Sequence, residues 1–135
     1  MPAMIVIETL ILLSILVLVH EFGHFIAARK LGIKVLKFSI GFGPVLLKWR
    51  SGDTDFVLSA IPFGGYVKMA GEEPEEGKEF GPDEFLGRPV SHRLLVVSGG
   101  PLANLIFGFI VYPVSYTHLR AHETSLHLVC RLLLE

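Results

Sequence analysis

From Met4 to Ala28 the chain carries an almost unbroken aliphatic run, and the stretch Leu10 to Val19 is interrupted only by Ser14. A helix needs roughly 20 apolar residues to cross the hydrocarbon core of a bilayer, and a serine inside it can hydrogen-bond back to a carbonyl one turn earlier. Residues 4–30 are therefore predicted to form a transmembrane helix. A cleaved leader would carry basic residues before the run and small residues at a cleavage site after it. Here Glu8 stands on the near side and charged residues interrupt the far end, which disfavours cleavage. The 51% hydrophobic content and mean hydropathy of +0.57 also exceed what a soluble protein with a polar surface normally carries.

A second apolar span, Leu94 to Tyr112, includes Gly99, Gly100, Pro101, Ala103 and Gly108. Small and helix-bending residues of this kind are tolerated where membrane helices pack closely, so residues 93–113 are predicted to be a second transmembrane helix. Arg29, Lys30, Lys34 and Lys37 follow the first span, and Arg88 and Arg93 precede the second, whereas the first eight residues hold no Lys or Arg. By the positive-inside rule the connecting loop, residues 29–93, is expected in the cytoplasm and the N-terminus outside it.

The connecting segment changes character midway. VLKFSIGF, PVLLKWR, DFVLSAI and GGYVKM read as strand pieces separated by turn signals at Gly43-Pro44, Ser51-Gly52-Asp53 and Pro62-Phe63-Gly64. A small antiparallel sheet over residues 33–70 is predicted, which makes the fold class a mainly α membrane protein with a β-loop between two transmembrane helices. Gly71 to Glu84 holds seven carboxylates among glycines and prolines, so 71–92 is read as a solvated loop and linker rather than a cation site. With 12 basic and 13 acidic residues, the net charge of -1 gives no reason to expect nucleic acid as a partner. Cys130 is the single cysteine, which excludes an internal disulfide framework and cysteine-based zinc clusters.

The chemistry is concentrated at His20-Glu21-Phe22-Gly23-His24. Two imidazoles four residues apart share one face of a helix and can reach one zinc ion, while Glu21 lies beside the metal as the candidate general base. Zinc bound by neutral histidines brings the pKa of its water to roughly 7, and a neighbouring carboxylate can take the proton as the water attacks a peptide carbonyl. Charged groups in the middle of a membrane helix cost about 2.5 to 3.5 kcal/mol each and persist where function requires them. The alternative, a solvated cluster just beyond the membrane, is disfavoured because Phe25, Ile26, Ala27 and Ala28 continue the apolar helix past the motif. A metzincin is excluded: Ala27 and Lys30 stand where that motif needs Gly and a third His.

HEFGHFIAARKLGIKV, FSIGFGP, IPFGGYVKMAGE and GGPLANLIFGF together resemble bacterial site-2 proteases of the regulator-of-sigma-E type over roughly residues 5–112. The resemblance implies a zinc-dependent, multi-pass protease of the bacterial inner membrane that cleaves within or near transmembrane segments of regulatory membrane proteins. It implies a membrane-associated β-loop that engages unwound substrate by strand addition, with Gly64, Gly65 and Tyr66 as candidate substrate contacts. It also implies that Asn104 binds or positions substrate backbone, an interhelical hydrogen bond being the alternative role.

The sequence departs from that family's pattern in two respects. The family's third zinc ligand is an Asp in a later Leu-Asp-Gly motif, usually after PDZ domains, whereas Asp53, Asp55 and Asp83 all lie in the loop and none precedes Gly. The chain is therefore expected to be an N-terminal part, one ligand short and inactive alone. Residues 114–135 do not resemble the family and are read as a non-native tail, so His118, His122, His127 and Cys130 receive no function. Two other classes remain: a non-catalytic membrane-embedded peptide-binding homologue, which would have no need of Glu21, and a soluble zincin, disfavoured by the length of the first span.

Overall fold

Helix α1 spans Pro2–Lys30, strand β1 Val35–Ser51, strand β2 Thr54–Met69 and helix α2 Val90–Leu132. This computed structural model describes residues 2–132, with side chains described for residues 3–113. By close contacts the chain divides into Met1–Asn104, which holds the sheet and every candidate site residue, and Leu105–Glu135.

Both helices are long and apolar enough to cross a membrane. The candidate spans are Ala3–Lys30, of mean hydropathy 2.5, and Val90–Pro113, of mean hydropathy 2.1. In the first, 0% of the most apolar window is buried inside the protein, and in the second 11%. The core helix of a soluble protein would be mostly covered, so lipid is the medium that suits these surfaces. At its C-terminal end α1 stops in a Schellman motif. Gly32 takes the left-handed conformation (φ 71°), its N–H bonds to the Arg29 carbonyl at 3.1 Å, and the Ile33 N–H bonds to the Ala28 carbonyl at 2.9 Å. Ile33 and Ala28 are both buried in the core, so the same residues cap the helix and start the packing beneath it.

The two strands form one sheet in an irregular register. Lys37 to Ile40 lie opposite Lys68 to Gly65 in the antiparallel sense, and the same four residues also pair with Asp55 to Leu58. Val45 to Ser51 then pair with Ser59 to Thr54. The start of β1 is thus flanked by β2 on both sides, because Gly41 (φ 83°), Gly43 (φ 87°) and Gly64 (φ 98°) bend the strands where an L side chain would be strained. The expected turns at Gly43-Pro44 and Pro62-Gly64 bend continuous strands rather than break them.

Phe25 of α1 anchors the sheet, meeting the Phe38 ring at 5.3 Å and the Phe56 ring at 5.7 Å, both edge to face. The apolar core joins Ala28, Ile33, Val35, Met69 and Val96, with Phe25, Val67 and Phe85 packed against it. The acidic loop is less free than its composition suggests. Residues 72–79 are exposed, but the Lys34 N–H bonds to the Asp83 carbonyl at 2.9 Å and the Phe85 N–H to the Ala70 carbonyl at 2.7 Å. Phe80 and Phe85 supply the apolar surface that docks its second half. Helix α2 starts three residues before the expected boundary and runs on over part of the segment read as a tail, which holds no Gly or Pro between residues 114 and 132. The side chains of 114–135 lie outside the described residues.

The two apolar helices touch at glycines. A β-carbon at Gly23 would collide with the Gly99 carbonyl oxygen, and one at Gly99 would lie 2.8 Å from the Gly23 carbonyl oxygen and 3.0 Å from the Ala27 β-carbon. Gly99→Ala should therefore cost about 1–3 kcal/mol, the range for an overpacked contact. Gly108→Ala should be neutral or better, because a β-carbon there meets nothing within 4 Å. Unfolding of the two variants by increasing SDS in mixed micelles checks this, and equal responses would show that the glycines do not form the contact.

Candidate metal centre

His20, Glu21, Gly23 and His24 all come from the last three turns of α1, and the glycine contact fixes which way that helix faces. With Gly23 pressed against Gly99, the next position of α2 lies under the two imidazoles. Gly100 is buried there, and a β-carbon on it would stand 2.5 Å from His24 Nε2 and 2.6 Å from His20 Nε2. Both nitrogens thus converge on the space left by a missing side chain. Their rings sit edge to face with centroids 4.7 Å apart, as expected for an i, i+4 pair.

The other ring nitrogens are held from α2. His24 Nδ1 lies 2.8 Å from the Val96 carbonyl oxygen, and because a carbonyl can only accept, Nδ1 carries the proton and Nε2 keeps its lone pair. Asn104 brings its amide within 3.4 Å of His20 Nδ1. A ligating histidine that donates its second N–H to a carbonyl is the usual outer arrangement of a protein metal site. The donor set therefore fits a zinc ion held by His20 and His24 through Nε2. Among the described residues no group of three His, Cys, Asp or Glu side chains gathers around a point.

Glu21 and His24 line a cavity of about 400 Å³ together with Val67, Met69, Glu72 and Val96, an opening the size of a small ligand site. Gly65 of β2 borders the same region: a β-carbon there would meet the Ser39 carbonyl oxygen at 2.5 Å and the Glu21 side chain at 3.8 Å. Gly64 and Tyr66 face β1 instead. A β-carbon at Gly64 would lie 2.5 Å from Phe42 Cε2, and the Tyr66 ring stacks on Phe42 with centroids 6.1 Å apart while Lys37 Nζ sits 5.2 Å above it. Of the sequence candidates, His20, Glu21, His24, Asn104 and Gly65 come together, and Gly64 and Tyr66 shape the neighbouring strand. Sequence reasoning missed the role of Gly100, visible only as one more small residue, and that of the Val96 carbonyl, for which a side-chain code holds no signal.

Two apolar helices thus bring a HExxH pair and its glutamate against a sheet. The chain belongs to peptidase family M50, whose sequence pattern matches residues 8–129. It is 48% identical over 112 residues to a protein of Pasteurella multocida whose name carries the words zinc metalloprotease, covering 80% of this chain and 25% of that protein. It is 47% identical over 113 residues to the regulator of sigma E protease of Haemophilus influenzae, covering 81% of this chain and 25% of that protein. With the protease RseP of Yersinia pestis it shares 45% identity over 107 residues, 76% of this chain and 23% of that protein. The chain thus spans about a quarter of the length of these relatives.

Because both Nε2 atoms point at the space over Gly100, Gly100→Ala should fill it with a methyl group and weaken zinc binding by at least about tenfold, the scale on which disturbed metal surroundings are felt. Leu102→Ala, at a half-exposed position of the same helix, should leave affinity unchanged. Titration against a competing chelator in detergent measures both, and an unaffected Gly100→Ala variant would place the metal elsewhere.

Proposed function

We propose that this chain carries the catalytic half-site of a zinc-dependent intramembrane endoprotease that hydrolyses peptide bonds within or near transmembrane segments of membrane proteins. The observation that carries the reading is the convergence of His20 Nε2 and His24 Nε2 over Gly100, with Glu21 one residue on and facing a cavity. His20 and His24 would hold the zinc, which would supply Lewis acidity toward a peptide carbonyl and a water. Glu21 takes the proton as the water oxygen attacks the carbonyl carbon. When the C–N bond breaks, Glu21 gives that proton to the leaving amine, so one water is consumed and the carboxylate is regenerated. By the family resemblance, an Asp from outside the described residues would complete the metal set.

Substrate enters as an extended segment. Among the described residues the stretch Gly65 to Met69 pairs with β1 on one edge only, and a β-carbon at Gly65 would stand 3.8 Å from the Glu21 side chain. A peptide added to the open edge would satisfy its own backbone groups by strand addition and run past the carboxylate. The apolar tip of the hairpin supports lipid contact: Val45, Leu46, Leu47, Trp49 and Phe63 are all exposed. The inner membrane is the compartment, with the loop 29–93 cytoplasmic and the N-terminus outside.

In a full-length version of the protein, Glu21→Gln should keep zinc but lose roughly 10²–10⁴-fold in cleavage of a transmembrane reporter, because the amide cannot accept the proton. Near-normal cleavage would sink the assignment, and a wild-type protein that binds zinc and peptide without cleaving would favour a non-catalytic peptide binder. For orientation, a cytoplasm-specific tag inserted at Gly77, which is exposed with open space around its α-carbon, should report as cytoplasmic. A periplasmic signal would reverse the topology.

A further inference from the structure

The two imidazoles are not held alike. His24 is fixed by a backbone carbonyl, which leaves only one tautomer and one ligating nitrogen. For His20 the neighbour is a side-chain amide, and an amide can face an imidazole in two ways. With Asn104 Nδ2 toward His20 Nδ1, at 3.4 Å, the amide donates, Nδ1 accepts, and the ring proton is driven onto Nε2, the atom that faces the shared space over Gly100. In that state His20 has no lone pair for a metal. The same arrangement leaves Asn104 Oδ1 buried without a hydrogen-bond partner. A half-turn of the amide exchanges its ends. The oxygen then accepts from His20 Nδ1–H, gaining the partner it otherwise lacks, and the imidazole lone pair moves to Nε2, matching His24.

We propose that Asn104 is a positioning residue for the metal site: its side-chain oxygen selects the Nδ1–H tautomer of His20 and so makes Nε2 available as a ligand. The inference rests on the reading of His20 and His24 as zinc ligands and assigns the amide to the imidazole rather than to substrate backbone. Asn104 lies four residues, one turn, beyond Gly100, and Val96 lies four residues before it, so three successive turns of one face of α2 supply an acceptor, a gap and an acceptor. Neither acceptor touches the metal, yet together they set both ligating nitrogens.

The test compares Asn104→Leu and Asn104→Asp in the chain as it stands, in detergent micelles, with zinc affinity read by chelator competition. Leucine keeps the volume and removes the acceptor, so affinity should fall about 10–100-fold. Aspartate keeps an acceptor in the same place, so affinity should return to that of the wild type or exceed it. If Asn104 served only packing, leucine would be tolerated and a buried aspartate would be the damaging change, and that order would overturn the proposal. Aspartate as weak as leucine would also overturn it, because it would mean that the amide acts as donor. A second measurement needs no variant of Asn104: in wild-type chain with ¹⁵N-labelled imidazoles, the His20 signals, assigned by their loss in His20→Gln, should show Nδ1 protonated. Protonation at Nε2 would refute the tautomer selection. His20→Ala separates the two levels: if it leaves zinc binding untouched, the metal reading fails, and if it removes binding while Asn104→Leu does not, only this inference fails.

Discussion

Everything in this site depends on how closely two helices can approach. At Gly23 and Gly99 the backbones of α1 and α2 meet with no side chain between them, and the collision that a β-carbon at Gly23 would make with the Gly99 carbonyl shows how little room remains. In lipid no hydrophobic force drives such a contact, since the tails are as apolar as leucine; close van der Waals packing and interhelical hydrogen bonds take its place. The bond from His24 to the Val96 carbonyl is one of these and spans the same interface. The contact that holds the helices together is thus also the one that brings the imidazoles over Gly100.

Val96 serves two purposes at once. Its side chain is fully buried among Ala28, Ile33, Val35 and Met69, and its carbonyl orients His24. Packing at the base of the sheet is therefore mechanically continuous with the histidine pair. The hairpin is fastened to the same centre through Phe25, one residue past His24, whose ring meets Phe38 and Phe56. Because Gly65 has no side chain, β2 can approach the Ser39 carbonyl of β1, where a β-carbon would stand at 2.5 Å.

Much of this was legible in the sequence. The length of the apolar run Met4 to Ala28 announces a spanning helix, and the four-residue spacing of His20 and His24 announces a shared helical face, because both follow from local geometry. The turn glycines of residues 41–64 were legible as punctuation, but not the way they bend the strands so that Lys37 to Ile40 pair on both edges, since register depends on partners distant in the chain. That Phe85, just past the acidic run, packs against the core was not legible, because composition does not register which surface a ring will meet. Gly100 and Asn104 were visible as residue types, but their relation to the histidines exists only once α2 is laid against α1. The Val96 carbonyl was invisible, as every residue has one.

The Schellman cap at Gly32 has a further consequence, for depth. His24 precedes Lys30, the last residue of α1, by six positions, which at 1.5 Å per residue is about 9 Å along the axis. Gly32 and Ile33 fix where the helix stops, so the distance along the axis from that stop to the imidazoles is a property of the covalent chain. The cap thus works as a plumb line: the imidazoles always hang the same short distance from the end of their own helix.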